Sequence, residues 1–183
     1  MNKHKRTGAI VIVAMIAALT AACSATPTQR STGQTLDDSV VNSRVKAALI
    51  ANDQTKARQI DVIVYRGDVQ LNGFVDSDTA KMAAANTAKN IEGVKSVQNN
   101  LQIRAADRSA GQAVDDTMIT ARVKTALIGD PRTKASQIEV TTNDGLVQLG
   151  GFVDSGTSKS AAAELARAVD GVRGVKNELE VRQ

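Results

Sequence analysis

The 183-residue chain carries 23 Lys and Arg against 19 Asp and Glu, with one His, one Cys, no Trp, one Tyr and two Phe. So even a balance excludes a broad basic trap for nucleic acid, and Tyr65, Phe74 and Phe152 cannot form a series of base-stacking platforms. His4 lies in an amino-terminal segment read below as removed, so no Ser-His-Asp, Cys-His or zinc-binding set of the usual ligands is left.

Met1–Ala22 places Lys3, Lys5 and Arg6 before an apolar run from Ala9 to Leu19, followed by the small residues Thr20, Ala21 and Ala22. This is the layout of a secretory signal peptide. The run is about half the ~20 residues needed for a permanent transmembrane helix. Its removal lowers the basic count from 23 to 20 against 19 acidic residues. Leu19-Thr20-Ala21-Ala22-Cys23 resembles the lipobox of bacterial lipoproteins, although Thr20 holds the place where a large aliphatic residue is usual and Leu19 lies one further back. The resemblance implies acylation of Cys23 with chains such as palmitate, which contribute about 0.8 kcal/mol per buried methylene. Ser24 after the cysteine then resembles an outer-membrane address. The alternative is ordinary cleavage after Ala22 or Ala25 and a soluble product. An unpaired thiol invites intermolecular disulfides in an oxidising compartment, and lipidation removes that hazard. Residues 23–35 are expected to be a Ser/Thr/Gln-rich flexible tether.

The rest of the chain is one module written twice. Gln70-Leu71-Asn72-Gly73-Phe74-Val75-Asp76-Ser77 returns as Gln148-Leu149-Gly150-Gly151-Phe152-Val153-Asp154-Ser155, and residues 36–104 align without a gap on 114–182 at an offset of 78. Residues 105–113 are expected to be the linker. Each copy opens on a helical pattern, Val41, Val45, Ala48 and Leu49 in the first and Ile119, Val123, Ala126 and Leu127 in the second. Asp37 or Asp38, and Asp115 or Asp116, are expected to cap these helices. Alternation in Ile60, Val62 and Val64, a turn at Arg66-Gly67, and alternation in Val69, Leu71 and Gly73 predict a β-hairpin. Asn143-Asp144-Gly145 supplies the corresponding turn in the second copy. An alanine-rich helix follows Asp76-Ser77 and Asp154-Ser155, with Gly93 and Gly171 expected to end it in a left-handed cap. Val97, Leu101 and Ile103, echoed by Val175, Leu179 and Val181, complete the unit as a last strand. The fold class is α+β: two tandem αββαβ modules, each a three-stranded sheet packed against two helices.

The glycines Gly67, Gly73, Gly93, Gly145, Gly151 and Gly171 punctuate strands and turns, and no Lys-Ser/Thr follows them as in a phosphate-binding loop. Asp37-Asp38, Asp76/Asp78 and Asp115-Asp116 read as helix-start charges, not as acid–base or calcium sites. No catalytic, metal or cofactor-binding residue is assigned, and the chain is read as not an enzyme. Arg44 with Lys46, and Arg122 with Lys124, lie beside the buried stripes. They read first as solvated faces, and on an envelope protein they could touch anionic lipid headgroups.

The order of elements, with Gly67-x-Val69-x-Leu71-x-Gly73, Gly145-x-Val147-x-Leu149-x-Gly151, Gly93-Val94 and Gly171-Val172, resembles the BON domain, the bacterial OsmY-and-nodulation family. With Cys23 the layout is similar to the double-BON outer-membrane lipoproteins of Gram-negative bacteria. The resemblance implies a non-catalytic envelope protein, outer-membrane and facing the periplasm, that contacts phospholipid and supports membrane integrity under osmotic stress. It also leaves open a soluble periplasmic, chaperone-like protein that binds envelope proteins or unfolded clients. The partners expected are membrane phospholipid and such polypeptides; no cofactor and no nucleic acid is expected.

Overall fold

The computed structural model describes residues 32–55, 60–104 and 110–182; Met1–Ser31, with Cys23 and the signal peptide, lies outside them. Helix α1, Thr32–Ala51, leads into strands β1, Ile60–Tyr65, and β2, Asp68–Val75. Helix α2, Asp78–Lys89, follows, then β3, Ser96–Asn99, and β4, Gln102–Ile103. The second repeat runs α3, Ala110–Gly129, a single 3₁₀ turn at Ala135–Gln137, β5, Ile138–Asn143, β6, Leu146–Val153, α4, Gly156–Arg167, and β7, Gly174–Val181.

Each repeat thus has the expected helix, hairpin, helix and last strand. The hairpins are antiparallel, with Val62 opposite Leu71 and Val140 opposite Leu149. Two-residue connections with positive φ at Arg66 and Gly67, and at Asp144 and Gly145, match the twist of the flanking strands. The last strand returns parallel to the second, as the intervening helix requires. In the first repeat it is interrupted at Asn100-Leu101, so β3 and β4 run along β2 as two pieces of one edge.

Two expectations are corrected. The first helices begin at Thr32 and Ala110, so they take up the last residues of the expected tether and linker, and Asp37, Asp38, Asp115 and Asp116 lie inside helices instead of capping them. The second helices end before their glycines: Asn90 and Ala168 are the cap residues, and Gly93 and Gly171 sit in the turns beyond. At the opposite ends, the Ser77 hydroxyl accepts from Ala80 N and the Ser155 hydroxyl from Ser158 N, both at 3.1 Å, satisfying free amides of the first turn.

Each repeat has its own apolar core between its helices and one face of its sheet. Val45, Leu49, Leu71, Ala84, Ala88 and Leu101 are buried in the first, and Val123, Leu127, Leu149, Ala162, Ala166 and Leu179 in the second. Burial of each leucine contributes about 1.5–3 kcal/mol. Alanines on α2 and α4 let these helices lie close on the strands.

The strands β2 and β6 are unusual in being buried on both faces from Val69 to Val75 and from Val147 to Val153. Val69, Leu71 and Val75 face the helices. By the two-residue period of a strand, Gln70, Asn72 and Phe74 face the other way. What covers them is the matching face of the second repeat.

Candidate functional surfaces

The inner sheet faces meet through a reciprocal pair of glutamines. Gln148 Oε1 accepts from Gly73 N at 2.6 Å, and its Nε2 donates to Asn100 O at 2.7 Å. Gln70 Oε1 accepts from Gly151 N at 2.9 Å, and its Nε2 donates to Glu178 O at 3.4 Å. Every partner in one set is the 78-residue equivalent of a partner in the other, so the repeats are related by a pseudo-two-fold axis and the joint is isologous within one chain. Both glutamines are 1 % exposed, which makes these bonds obligatory. Around them Tyr65 packs on Phe152 with ring centroids 5.2 Å apart, and Arg182 reaches Asp68 at 3.5 Å. The glutamines were not singled out from the sequence. Their signal was an identical polar residue in both copies on the face where alternation calls only for solvent-facing side chains.

The buried aspartates serve a second joint. Asp38 accepts from the amides of Arg66 and Gly67 at 2.8 and 3.0 Å, and Asp116 from those of Asp144 and Gly145 at 2.8 and 2.9 Å. Two successive N–H groups in left-handed conformation form a concavity suited to a carboxylate. Each first helix is thereby pinned to the hairpin turn of its own repeat. Asp116→Ala removes both acceptors from a site that is 3 % exposed. Its expected cost is about 2–4 kcal/mol in urea unfolding, with Asp116→Asn losing roughly half as much because one oxygen remains.

Beside each pinned turn lies a cleft, at equivalent positions in the two repeats. The first, about 430 Å³, is lined by three acidic and three basic residues, among them Arg44, Arg66, Glu92 and Lys95. The second, about 340 Å³, has four acidic residues and two basic ones, Arg122 and Arg173. The copies have therefore diverged in charge while keeping the shape.

The outer faces of α1 and α3 are exposed and poor in charge. On α1 they present Ser39, Val40, Ser43 and Ile50, and on α3 Val114, Thr117, Met118, Ala121, Thr125 and Ile128. Ile50 and Ile128 are each 75 % exposed, Val114 60 % and Met118 47 %. At 100° per residue, Arg44 and Lys46 fall on opposite borders of the first stripe, and Arg122 and Lys124 on opposite borders of the second. Arg44 pairs with Glu92 at 3.5 Å and Lys124 with Glu139 at 2.9 Å. No helix among the described residues is long and apolar enough to cross a membrane.

Where the edge strands of the two repeats approach, Asp61 and Glu139, again equivalents, come together. Thr141 Oγ1 donates to Asp61 at 2.7 Å across the joint. Burial pushes the Asp61 carboxyl above its usual range; the Thr141 bond opposes this, Glu139 adds to it, and the Lys46 and Lys124 ammoniums oppose it. A raised carboxyl binds its proton more readily in the folded chain, so its contribution to stability is present below the unfolded value near 3.8 and lost as pH rises through the raised folded value. Asp61→Asn is therefore expected to melt higher than the parent at neutral pH. That gap should close as both are taken down through the acid range, which calorimetry across pH would reveal.

The fold and this duplicated arrangement define a protein of two like α+β modules in tandem. The BON domain profile matches residues 37–105 and again 115–183, so the chain belongs to the BON domain family. It is 39 % identical to the osmotically-inducible protein Y of Escherichia coli (strain K12), over 82 % of this chain and 75 % of that protein. It is 36 % identical to a 21 kDa hemolysin of Actinobacillus pleuropneumoniae over 80 % of this chain and 75 % of that one. The outer membrane lipoprotein DolP of Haemophilus influenzae (strain ATCC 51907 / DSM 11121 / KW20 / Rd) is 33 % identical over the same shares.

Proposed function

We propose that this chain is a non-catalytic protein of the Gram-negative envelope, anchored through acylated Cys23 to the outer membrane and facing the periplasm. Its BON modules contact phospholipid and support membrane integrity under osmotic stress. The observation that carries this reading is the pair of exposed, charge-poor stripes on α1 and α3, each bordered by Arg and Lys. An apolar strip flanked by cations is what lies down in the headgroup layer of an anionic bilayer: the aliphatic groups enter the interface and the cations stay with the phosphates. Its relatives named for an outer membrane lipoprotein and for osmotic induction support the compartment and the stress.

Flotation of the unacylated chain, residues 24–183, with anionic vesicles separates the surface contact from the anchor. Binding at low salt that weakens at high salt is expected, and Met118→Glu with Ile128→Glu, which spoils the stripe on α3, should weaken it. Absence of binding by the parent chain to anionic vesicles would remove the lipid contact. The near balance of 20 basic and 19 acidic residues once the leader is removed favours a second reading, a soluble polypeptide-binding protein. Suppression of client aggregation without vesicle binding would select it. Acylation is tested separately by the intact mass of the protein taken from membranes.

A further inference from the structure

Asn72 and Gly150 hold the same position in the two repeats, and they meet each other. A Cβ placed on Gly150 would lie 2.5 Å from Asn72 Nδ2 and 2.6 Å from its Cγ. Residues that touch their own equivalents lie on the pseudo-two-fold axis, where a pair of like repeats would set identical side chains face to face. Asn72 is 1 % exposed, its Oδ1 accepts from Asn100 Nδ2 at 3.2 Å and its Nδ2 lies 3.5 Å from Gln70 Oε1, so it has no open space to swing into.

We propose that Asn72 and Gly150 are a knob and a hole that make the inner sheet face of each repeat selective for the unlike repeat. Two first repeats would bring asparagine against asparagine in a space that does not hold even one added methyl group. Two second repeats would bring glycine against glycine and leave a void. The glutamine bonds at the centre of the joint do not discriminate. Gln70 and Gln148, Gly73 and Gly151, and the carbonyls of residues 100 and 178 are the same groups in both repeats. Off the axis, the Thr141–Asp61 bond would be lost in a pair of first repeats, where Ile63 replaces Thr141, and the Tyr65–Phe152 and Arg182–Asp68 contacts in a pair of second repeats, where Asn143 replaces Tyr65 and Leu146 replaces Asp68. On the axis itself the copies differ at this position, and there a like pair fails by clash or by void. The effect is to close each chain on itself, and to bar chains crowded on one surface from joining through like repeats.

The test uses the whole chain without its leader and four forms: parent, Asn72→Gly, Gly150→Asn, and the exchange Asn72→Gly with Gly150→Asn. Gly150 has no positive φ, so asparagine there meets no backbone penalty of its own. Gly150→Asn is expected to speed hydrogen exchange at the Gly73 and Gly151 amides roughly ten- to hundredfold while α1 and α3 stay protected. The exchanged form should bring both amides most of the way back to parent rates, since it moves the knob without adding a second. Parent-like exchange in Gly150→Asn would overturn the proposal, as would an exchanged form as loose as that single variant. If Gly150→Asn does not fold, the exchanged form still decides: folded with slow amides supports the proposal, and unfolded overturns it.

Discussion

Gly151→Ala is expected to destabilise the chain by about 4 kcal/mol or more, read as the shift of the midpoint in chemical unfolding. Gly151 has φ +134, where a side chain is strained whatever the space around it, and its added Cβ would stand 2.1 Å from the carbonyl oxygen of Gln137. That oxygen belongs to the backbone just before Ile138, the residue paired with Gly151, so relief requires β5 and β6 to move apart. Such a movement also carries the Gly151 amide away from Gln70 Oε1 and loosens the joint between repeats. Against a total stability of about 5–15 kcal/mol this is a large fraction. Gly129 and Gly156 are the internal controls, because a Cβ on either meets nothing within 4 Å. Their alanine variants should stay within about 1 kcal/mol of the parent, on the stabilising side if helix propensity decides. A loss under about 1 kcal/mol in Gly151→Ala would show that the strands yield easily.

The second large effect is expected at the reciprocal glutamines. Gln148→Leu keeps most of the volume but leaves the Gly73 amide and the Asn100 carbonyl without the partner each has now. An unmet buried donor or acceptor costs about 1–3 kcal/mol, so the variant should lose roughly 2–5 kcal/mol. Gln148→Glu should be at least as damaging, because a carboxylate accepts from Gly73 but can only face the Asn100 carbonyl with like charge. Gln70→Leu tests the symmetry and should resemble Gln148→Leu: its bond to Glu178 is longer at 3.4 Å, but its Nε2 also donates to Gln98 Oε1 at 3.1 Å. Unfolding of the leucine variants should broaden, with a lower denaturant slope, as the repeats begin to unfold apart. If Gln148→Leu unfolded at the parent midpoint with the parent slope, the sheet-to-sheet joint would have to be held by the rings and Arg182 instead.

Much of the architecture was legible because it rests on periodicity. Ile60, Val62 and Val64 alternate, Val41, Val45 and Leu49 recur at helical spacing, and the 78-residue offset doubles every signal. The joint between repeats was not legible for a specific reason. Gln70, Asn72 and Gln148 occupy strand positions whose polarity reads as exposure, and nothing local distinguishes a glutamine facing water from one facing a glycine amide on another sheet. Asp38 and Asp116 were misplaced by the same limit. An aspartate near a helix start is a good cap by local chemistry, and only the position of the hairpin turn shows that it reaches another element. The stripes on α1 and α3 were half visible: Arg44, Lys46, Arg122 and Lys124 were seen as charges, whereas Ile50 and Ile128 are apolar residues whose exposure only the packing reveals.

The isologous joint has a further consequence once the two halves share a backbone. Partners that must find each other from solution pay for lost translation on every encounter. Repeats held in one chain see each other at an effective concentration on the order of millimolar. A contact of only modest intrinsic affinity then stays shut. Gene duplication with fusion thereby frees the surface from any need to be sticky, so its exposed apolar area can be given to something other than self-recognition.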